Sequence, residues 1–193
     1  NYYKLNKKKN FLYLGIGFLL IAIAQLATIM TKLVLYYDTT FTKQVGMMIV
    51  TYNVVKSVDI FYQMGFFFHR LFTLLGFYLL YKLALGKKWT GDSYFVMFFI
   101  IITTLSSANA YYVFHLTALV FLLLIIKNYF VLYDKNKNYN TGILAIAFSL
   151  LGASQLIFIF SKLSIMFVLA NIIELASYLT LLILIIRIIK HKK

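Results

Sequence analysis

Long uncharged apolar runs alternate with short polar segments along the whole chain. The runs cover about residues 11–35, 61–81, 94–105, 111–126, 142–160 and 165–186, and Lys, Asn, Asp or Gly bound each of them. A helix needs roughly 20 apolar residues to cross about 30 Å of hydrocarbon. The third run approaches this length only if it includes residues 91–93 and 106–108. The pattern therefore predicts six transmembrane helices.

The overall composition indicates the same fold class. Of the 193 residues, 63% are hydrophobic and only 12% are charged, whereas a soluble domain is about half apolar and about a quarter charged. A water-soluble fold could not bury this much apolar surface. We therefore expect an all-α integral membrane protein, a six-transmembrane helix bundle that forms a single domain over residues 1–193.

Basic residues collect at one end of the predicted helices. Fourteen of the 19 lysines and arginines lie before the first run, after the second and fourth runs, or at the end of the chain. Cytoplasmic loops carry an excess of these residues. The distribution predicts a multi-pass protein of the cell membrane with both termini in the cytoplasm.

The net charge of +14 would also suit a protein that binds nucleic acid. The basic residues, however, sit in short caps between predicted spans, and no soluble domain is present to dock a duplex. We expect contact with the lipid bilayer and its anionic headgroups instead. A membrane protein partner or a homo-oligomer is the other expected assembly.

Residues 41–60 form the longest segment outside the predicted spans. Polar residues such as Thr51, Asn53 and Asp59 alternate there with Met, Ile and Val. This pattern suits an amphipathic helix on the outer membrane surface. The equally weighted alternative is an outward extension of the second span.

The chain resembles itself when it is shifted by 130 positions. Residues 18–33 then lie over residues 148–163 with seven identities, among them Phe18 with Phe148 and Gln25 with Gln155. We interpret the chain as three tandem helical hairpins, at about 9–88, 91–134 and 138–190. Because the approach to residue 142 also resembles the first ten residues, a further span before Asn1 is a hypothesis.

Three ionisable residues lie inside the predicted spans at one depth. His69, His115 and Glu174 each come 12 or 13 residues before a basic residue at the inner end of their span, about 18–20 Å above it. Together they could form a facial triad for iron or zinc, and the two histidines alone could ligate haem. The alternatives are hydrogen bonds to neighbouring helices, or proton or ligand binding.

Glu174 is the only glutamate in the chain and is the strongest single candidate for a function. Helical spacing places Asn171, Ser177 and Tyr178 on the same stripe. Arg70 has a similar predicted depth, so one interpretation is a Glu174–Arg70 ion pair that fixes helix packing. The other interpretation is a substrate or proton site.

Gln25 and Gln155 are matched polar residues of the repeat, and each lies near small residues in an apolar run. Small residues allow two helices to approach closely enough for interhelical hydrogen bonds. We expect such bonds more than ligand contacts, although both glutamines remain candidates for an interior polar site.

No sequence motif points to conventional catalysis. Cysteine is absent, and we find no GxSxG, GxxxxGK[ST] or HExxH pattern. The preferred hypothesis is a non-catalytic membrane module, either a partner-binding subunit or a ligand sensor. One alternative is a small transporter or channel with a polar interior at Glu174 and Arg70. The other is an intramembrane haem or divalent-metal protein that uses His69, His115 and Glu174.

Overall fold

The protein is a bundle of apolar helices. The computed structural model describes residues 9–36, 40–45, 48–53, 55–85, 91–161 and 164–190. The helices in these ranges are α1 Lys9–Tyr36, α2 Val55–Leu85, α3 Gly91–Ser106, α4 Tyr111–Asn136, α5 Tyr139–Ile159 and α6 Ser164–Lys190. Five of them are long and apolar enough to cross a membrane, and α3, with 16 residues, is shorter. The prediction of a helical membrane bundle is confirmed.

Helix α4 continues ten residues past the predicted end of its apolar run. Lys127 and Asp134 still lie in the helix because exposed polar side chains do not interrupt its backbone hydrogen bonds. The helix stops at Lys137, whose left-handed backbone (φ 47°) lets its N–H donate to the Tyr133 carbonyl at 2.7 Å. Asn138 then caps α5 by accepting from the Asn140 N–H at 3.0 Å.

The segment between α1 and α2 corrects the expectation of a surface helix. Strands β1 Thr40–Val45 and β2 Met48–Asn53 pair antiparallel, with Thr40 opposite Asn53 and Val45 opposite Met48. The alternation of polar and apolar residues has the period of a strand, and the β-branched residues favour one. Residues 55–60 instead belong to α2, so the predicted outward extension of the second span is correct there.

Side-chain contacts show how the helices run relative to one another. On α1 and α2, Gly17 lies against Gly76 and Thr31 against Gly65, so the later residue of one helix meets the earlier residue of the other. Tyr111 at the start of α4 bonds Ile159 at the end of α5, so both pairs are antiparallel. Helix α5 also packs against α6, whereas α3 makes few contacts with α2 and α4. The expected α3/α4 hairpin is thus not a tightly packed unit.

The predicted internal repeat and the hypothesis of a further span stay predictions. The last two positions of the repeat, residues 162 and 163, lie outside the described residues. So do residues 1–8, which carry most of the similarity to the chain start.

The apolar core lies in the half of the bundle away from the β-hairpin. Leu74, Tyr78, Leu122, Phe148 and Leu151 are each at most 2% exposed. They come from the end of α2, the middle of α4 and the first half of α5, which meet at that level. The bundle is therefore filled by close-packed side chains in this half.

Candidate functional site

A cavity of about 380 Å³ lies in the other half of the bundle, between α1, α2, α4, α5 and α6. We call it the polar cavity. It is lined by all seven residues that the sequence indicated: Gln25, His69, Arg70, His115, Gln155, Asn171 and Glu174. The structure thus brings residues from five helices, up to 149 positions apart in the chain, to one site.

Glu174 on α6 belongs to a closed ring of hydrogen bonds. Its Oε1 accepts from Gln25 Nε2 at 3.1 Å and from the Tyr178 hydroxyl at 2.9 Å. The Gln25 amide also donates to the Tyr178 oxygen at 2.7 Å. Backbones of α1 and α6 do not pack together in the described ranges, so this ring bridges a gap between the two helices. The interhelical bond expected for Gln25 is confirmed.

Both histidines make interhelical hydrogen bonds. His69 Nδ1 lies 3.1 Å from the Ala24 carbonyl oxygen on α1, and His115 Nδ1 lies 2.7 Å from Gln155 Oε1 on α5. Because both partners are oxygen acceptors, Nδ1 is the protonated nitrogen in each ring. The His115 ring also stacks on Phe158, with centroids 4.9 Å apart. The interpretation of both histidines, and of Gln155, as helix-linking residues is confirmed.

The predicted metal triad is not assembled. Within the described ranges, no three His, Cys, Asp or Glu side chains are grouped closely enough to hold a metal ion. His69, His115 and Glu174 do share one level, but His69 and Glu174 bond to Ala24 and Gln25 of α1, whereas His115 bonds to Gln155 of α5. The three side chains are thus not gathered as metal ligands in this structure, and both the facial triad and ligation of haem by the two histidines stay predictions.

Arg70 does not pair with Glu174, which corrects the ion-pair interpretation. The ion pair found among the described residues is Lys137 with Asp134, at the surface. The Arg70 guanidinium instead lies over the Phe66 ring, 5.9 Å from its centroid. Its side chain is only partly buried at the cavity wall. Arg70, which has no carboxylate partner within the described ranges, thus faces the same cavity as Glu174.

The remaining residues of the predicted Glu174 stripe point to different places. Asn171 lines the polar cavity but donates to the Phe167 carbonyl of its own helix at 2.6 Å. Ser177 is fully buried and donates to the Ala147 carbonyl of α5 at 2.7 Å. Ser177 therefore links α6 to α5 and does not extend the polar stripe. A shift of one position along a helix is enough to turn a side chain towards a different neighbouring helix.

Two threonines in the cavity wall were missed by the sequence interpretation. Thr28 lines the polar cavity and returns its hydroxyl to the Ala24 carbonyl at 3.3 Å. Thr73, one turn after Arg70, also lines it and is 3% exposed, yet its hydroxyl has no partner among the residues that the structure describes. Threonine is common in membrane helices, so its type alone gave no signal. The spacing from His69 and Arg70 to Thr73 would have placed it on their face.

The fold and the cavity define a helical, membrane-embedded protein with a polar chamber in one half and an apolar core in the other. No family model, curated protein or solved structure matches the chain.

Proposed function

We propose that the protein is a non-catalytic membrane module that binds a small ligand in the polar cavity and acts as a ligand sensor. The main support is that Arg70 and Glu174 line one cavity without pairing, and that Arg70 has no ion-pair partner in the described part of the chain. Charged groups in a membrane are costly unless something satisfies them. A polar ligand would satisfy both groups.

The size and lining of the cavity support ligand binding. Small-molecule sites typically have about 300–1,000 Å³ and combine apolar walls with a few polar groups. The polar cavity falls in this range, and Phe114, Phe158 and Phe167 supply apolar wall area. Its polar groups lie on several helices, so a bound ligand would couple the positions of those helices. Such coupling is what a sensor requires.

The alternative is a small transporter or channel lined by Glu174 and Arg70. A channel needs a hydrated path through the whole bundle, and the core around Leu122 and Phe148 favours a blind cavity instead. Reconstituted liposomes test this alternative. Ion or solute flux that is lost in Glu174→Gln would favour transport over sensing.

The orientation of the helix bundle in the membrane is part of the proposal. Lys127, Lys135, Arg187 and Lys190 lie at the bundle end opposite the β-hairpin, and the positive-inside rule places that end in the cytoplasm. The chain has no cysteine, so single-cysteine variants need no background removal. A membrane-impermeant maleimide should label Thr42→Cys in intact cells and Asn138→Cys only after permeabilisation. The reverse pattern would overturn the orientation.

A thermal-shift screen of the purified protein against small polar compounds tests ligand binding. Thr28→Phe places a ring in the cavity, so we expect it to remove the stabilisation produced by a hit. Thr180→Phe is the matched control, because Thr180 also bonds the carbonyl four residues earlier but lies outside the cavity. A hit that stabilises wild type and Thr28→Phe equally would exclude the polar cavity as its site.

A further inference from the structure

A second cavity of about 840 Å³ adjoins the polar cavity on the side of α3. We call it the side groove. Its wall includes Met64 of α2, Leu105 of α3 and Asn109, which follows α3. Met64 is 52% and Leu105 58% exposed. In a membrane-embedded bundle such apolar residues face lipid, so the side groove opens towards the acyl chains.

The two cavities share one strip of wall. Tyr62, Phe66, Arg70 and Tyr111 line both of them. Arg70 is the charged member of this strip, and it has no carboxylate partner in the described residues. In the described part of the chain, a cation without a carboxylate partner therefore lies where the polar cavity meets the side groove.

The surroundings of Arg70 favour an anion at this junction. The buried Thr73 hydroxyl lies one helical turn away, on the side of the polar cavity, and has no partner among the described residues, so it can donate a second hydrogen bond. Glu174 lines the polar cavity but not the side groove, so a negative group that enters from the groove meets Arg70 first. Guanidinium binds phosphate and carboxylate groups through several N–H donors in one plane.

We propose that the ligand is a membrane amphiphile with an anionic phosphate or carboxylate head, which Arg70 binds while the apolar chain lies in the side groove. This inference rests on the proposed ligand-binding function and specifies its ligand class. The bilayer supplies the molecule, because the groove opens to its hydrocarbon. Tyr62, Phe66 and Tyr111 line the junction of the two cavities, where the head of the amphiphile joins its chain.

Native mass spectrometry of the full chain in neutral maltoside micelles tests the proposal, with dodecyl phosphate as the probe. We expect dodecyl phosphate to bind, and dodecyltrimethylammonium, which has the same chain and the opposite charge, to bind at least about tenfold more weakly. Arg70→Gln should weaken dodecyl phosphate about tenfold or more, because a hydrogen bond to a charged group is lost. Lys190→Gln, a cation at the far end of α6, should leave the affinity unchanged.

Two further variants show whether weaker binding of dodecyl phosphate comes from the site itself or from a folding defect. Arg70→Lys retains the charge and should recover part of the affinity, so a folding defect of Arg70→Gln cannot imitate loss of the site. Ala108→Trp fills the side groove and should weaken dodecyl phosphate while Arg70 remains in place.

Equal affinity of wild type and Arg70→Gln, or equal binding of the two dodecyl probes, would overturn the assignment of an anionic amphiphile. The broader ligand-binding function would survive that result if a compound from the thermal-shift screen still lost its effect in Thr28→Phe. Dodecyl phosphate binding that responds to Arg70→Gln supports the inference directly.

Discussion

Replacement of Gly76 by alanine is the sharpest test of how α1 and α2 pack. A methyl group on Gly76 would lie 2.7 Å from Ile21 Cγ1 and 2.9 Å from the Gly17 carbonyl oxygen. Ordinary van der Waals contacts begin at 3.4 Å. The Ile21 side chain could shift by changing its rotamer, but the Gly17 oxygen belongs to the helix backbone. The two helices must therefore separate to accept the methyl group.

The expected destabilisation follows from two opposing effects. Overpacking of a close contact costs about 1–3 kcal/mol, and replacing a helical glycine by alanine gains roughly 0.5–1 kcal/mol. We expect a net loss of about 1–2 kcal/mol in the free energy of unfolding for Gly76→Ala. Gly15 is the matched control, because it lies in α1 and a methyl group there would meet nothing within 4 Å. Gly15→Ala should leave stability unchanged or raise it slightly.

The measurement is SDS-induced unfolding of each purified variant in mixed micelles, followed by far-ultraviolet circular dichroism. Two-state transitions of wild type, Gly76→Ala and Gly15→Ala are compared under identical conditions. If the two alanine variants differ by less than about 0.5 kcal/mol, which is the typical scatter of neutral substitutions, the close approach of α1 to α2 at Gly76 is refuted.

Three other predictions concern the polar residues. Gln25→Leu and Tyr178→Phe should couple in a double-mutant cycle by about 0.6–1.7 kcal/mol, as membrane hydrogen bonds do; additive effects would exclude the shared ring with Glu174. Ser177→Ala should lower the free energy of unfolding by a similar amount because it removes the bond to α5, whereas Thr73→Val, which removes a hydroxyl with no partner among the described residues, should leave it unchanged or raise it. Purified protein without a visible haem absorption band would exclude the two-histidine haem prediction.

The helical spans could be predicted from local sequence because membrane insertion imposes a simple rule on each segment. A backbone in hydrocarbon must satisfy its own hydrogen bonds, so an apolar run of sufficient length becomes a helix. The same rule says little about polar ends. It therefore did not predict the extension of α4 to Asn136 or the pairing of residues 40–45 with residues 48–53, where water and neighbouring strands supply hydrogen bonds.

The members of the candidate site were also predictable, because ionisable and amide side chains are rare in hydrocarbon and turn towards the protein interior. Equal distances from the basic helix ends placed His69, His115 and Glu174 at one level, and all three line the polar cavity. Their hydrogen-bond partners were harder to predict from the sequence. The ring of Gln25, Glu174 and Tyr178 joins residues that no spacing rule relates.

Hydropathy along the chain was enough to predict the helical membrane class and the ionisable and amide side chains that turn inward. The partners of these side chains are visible only in the fold: among the described residues Arg70 has no carboxylate partner, Ser177 turns to α5, and no three potential ligands are grouped around a metal position. Side-chain pairing depends on the rotation and separation of whole helices, which local sequence does not specify. Differences of a few ångströms, set by close contacts such as Gly17 with Gly76, select one partner over another.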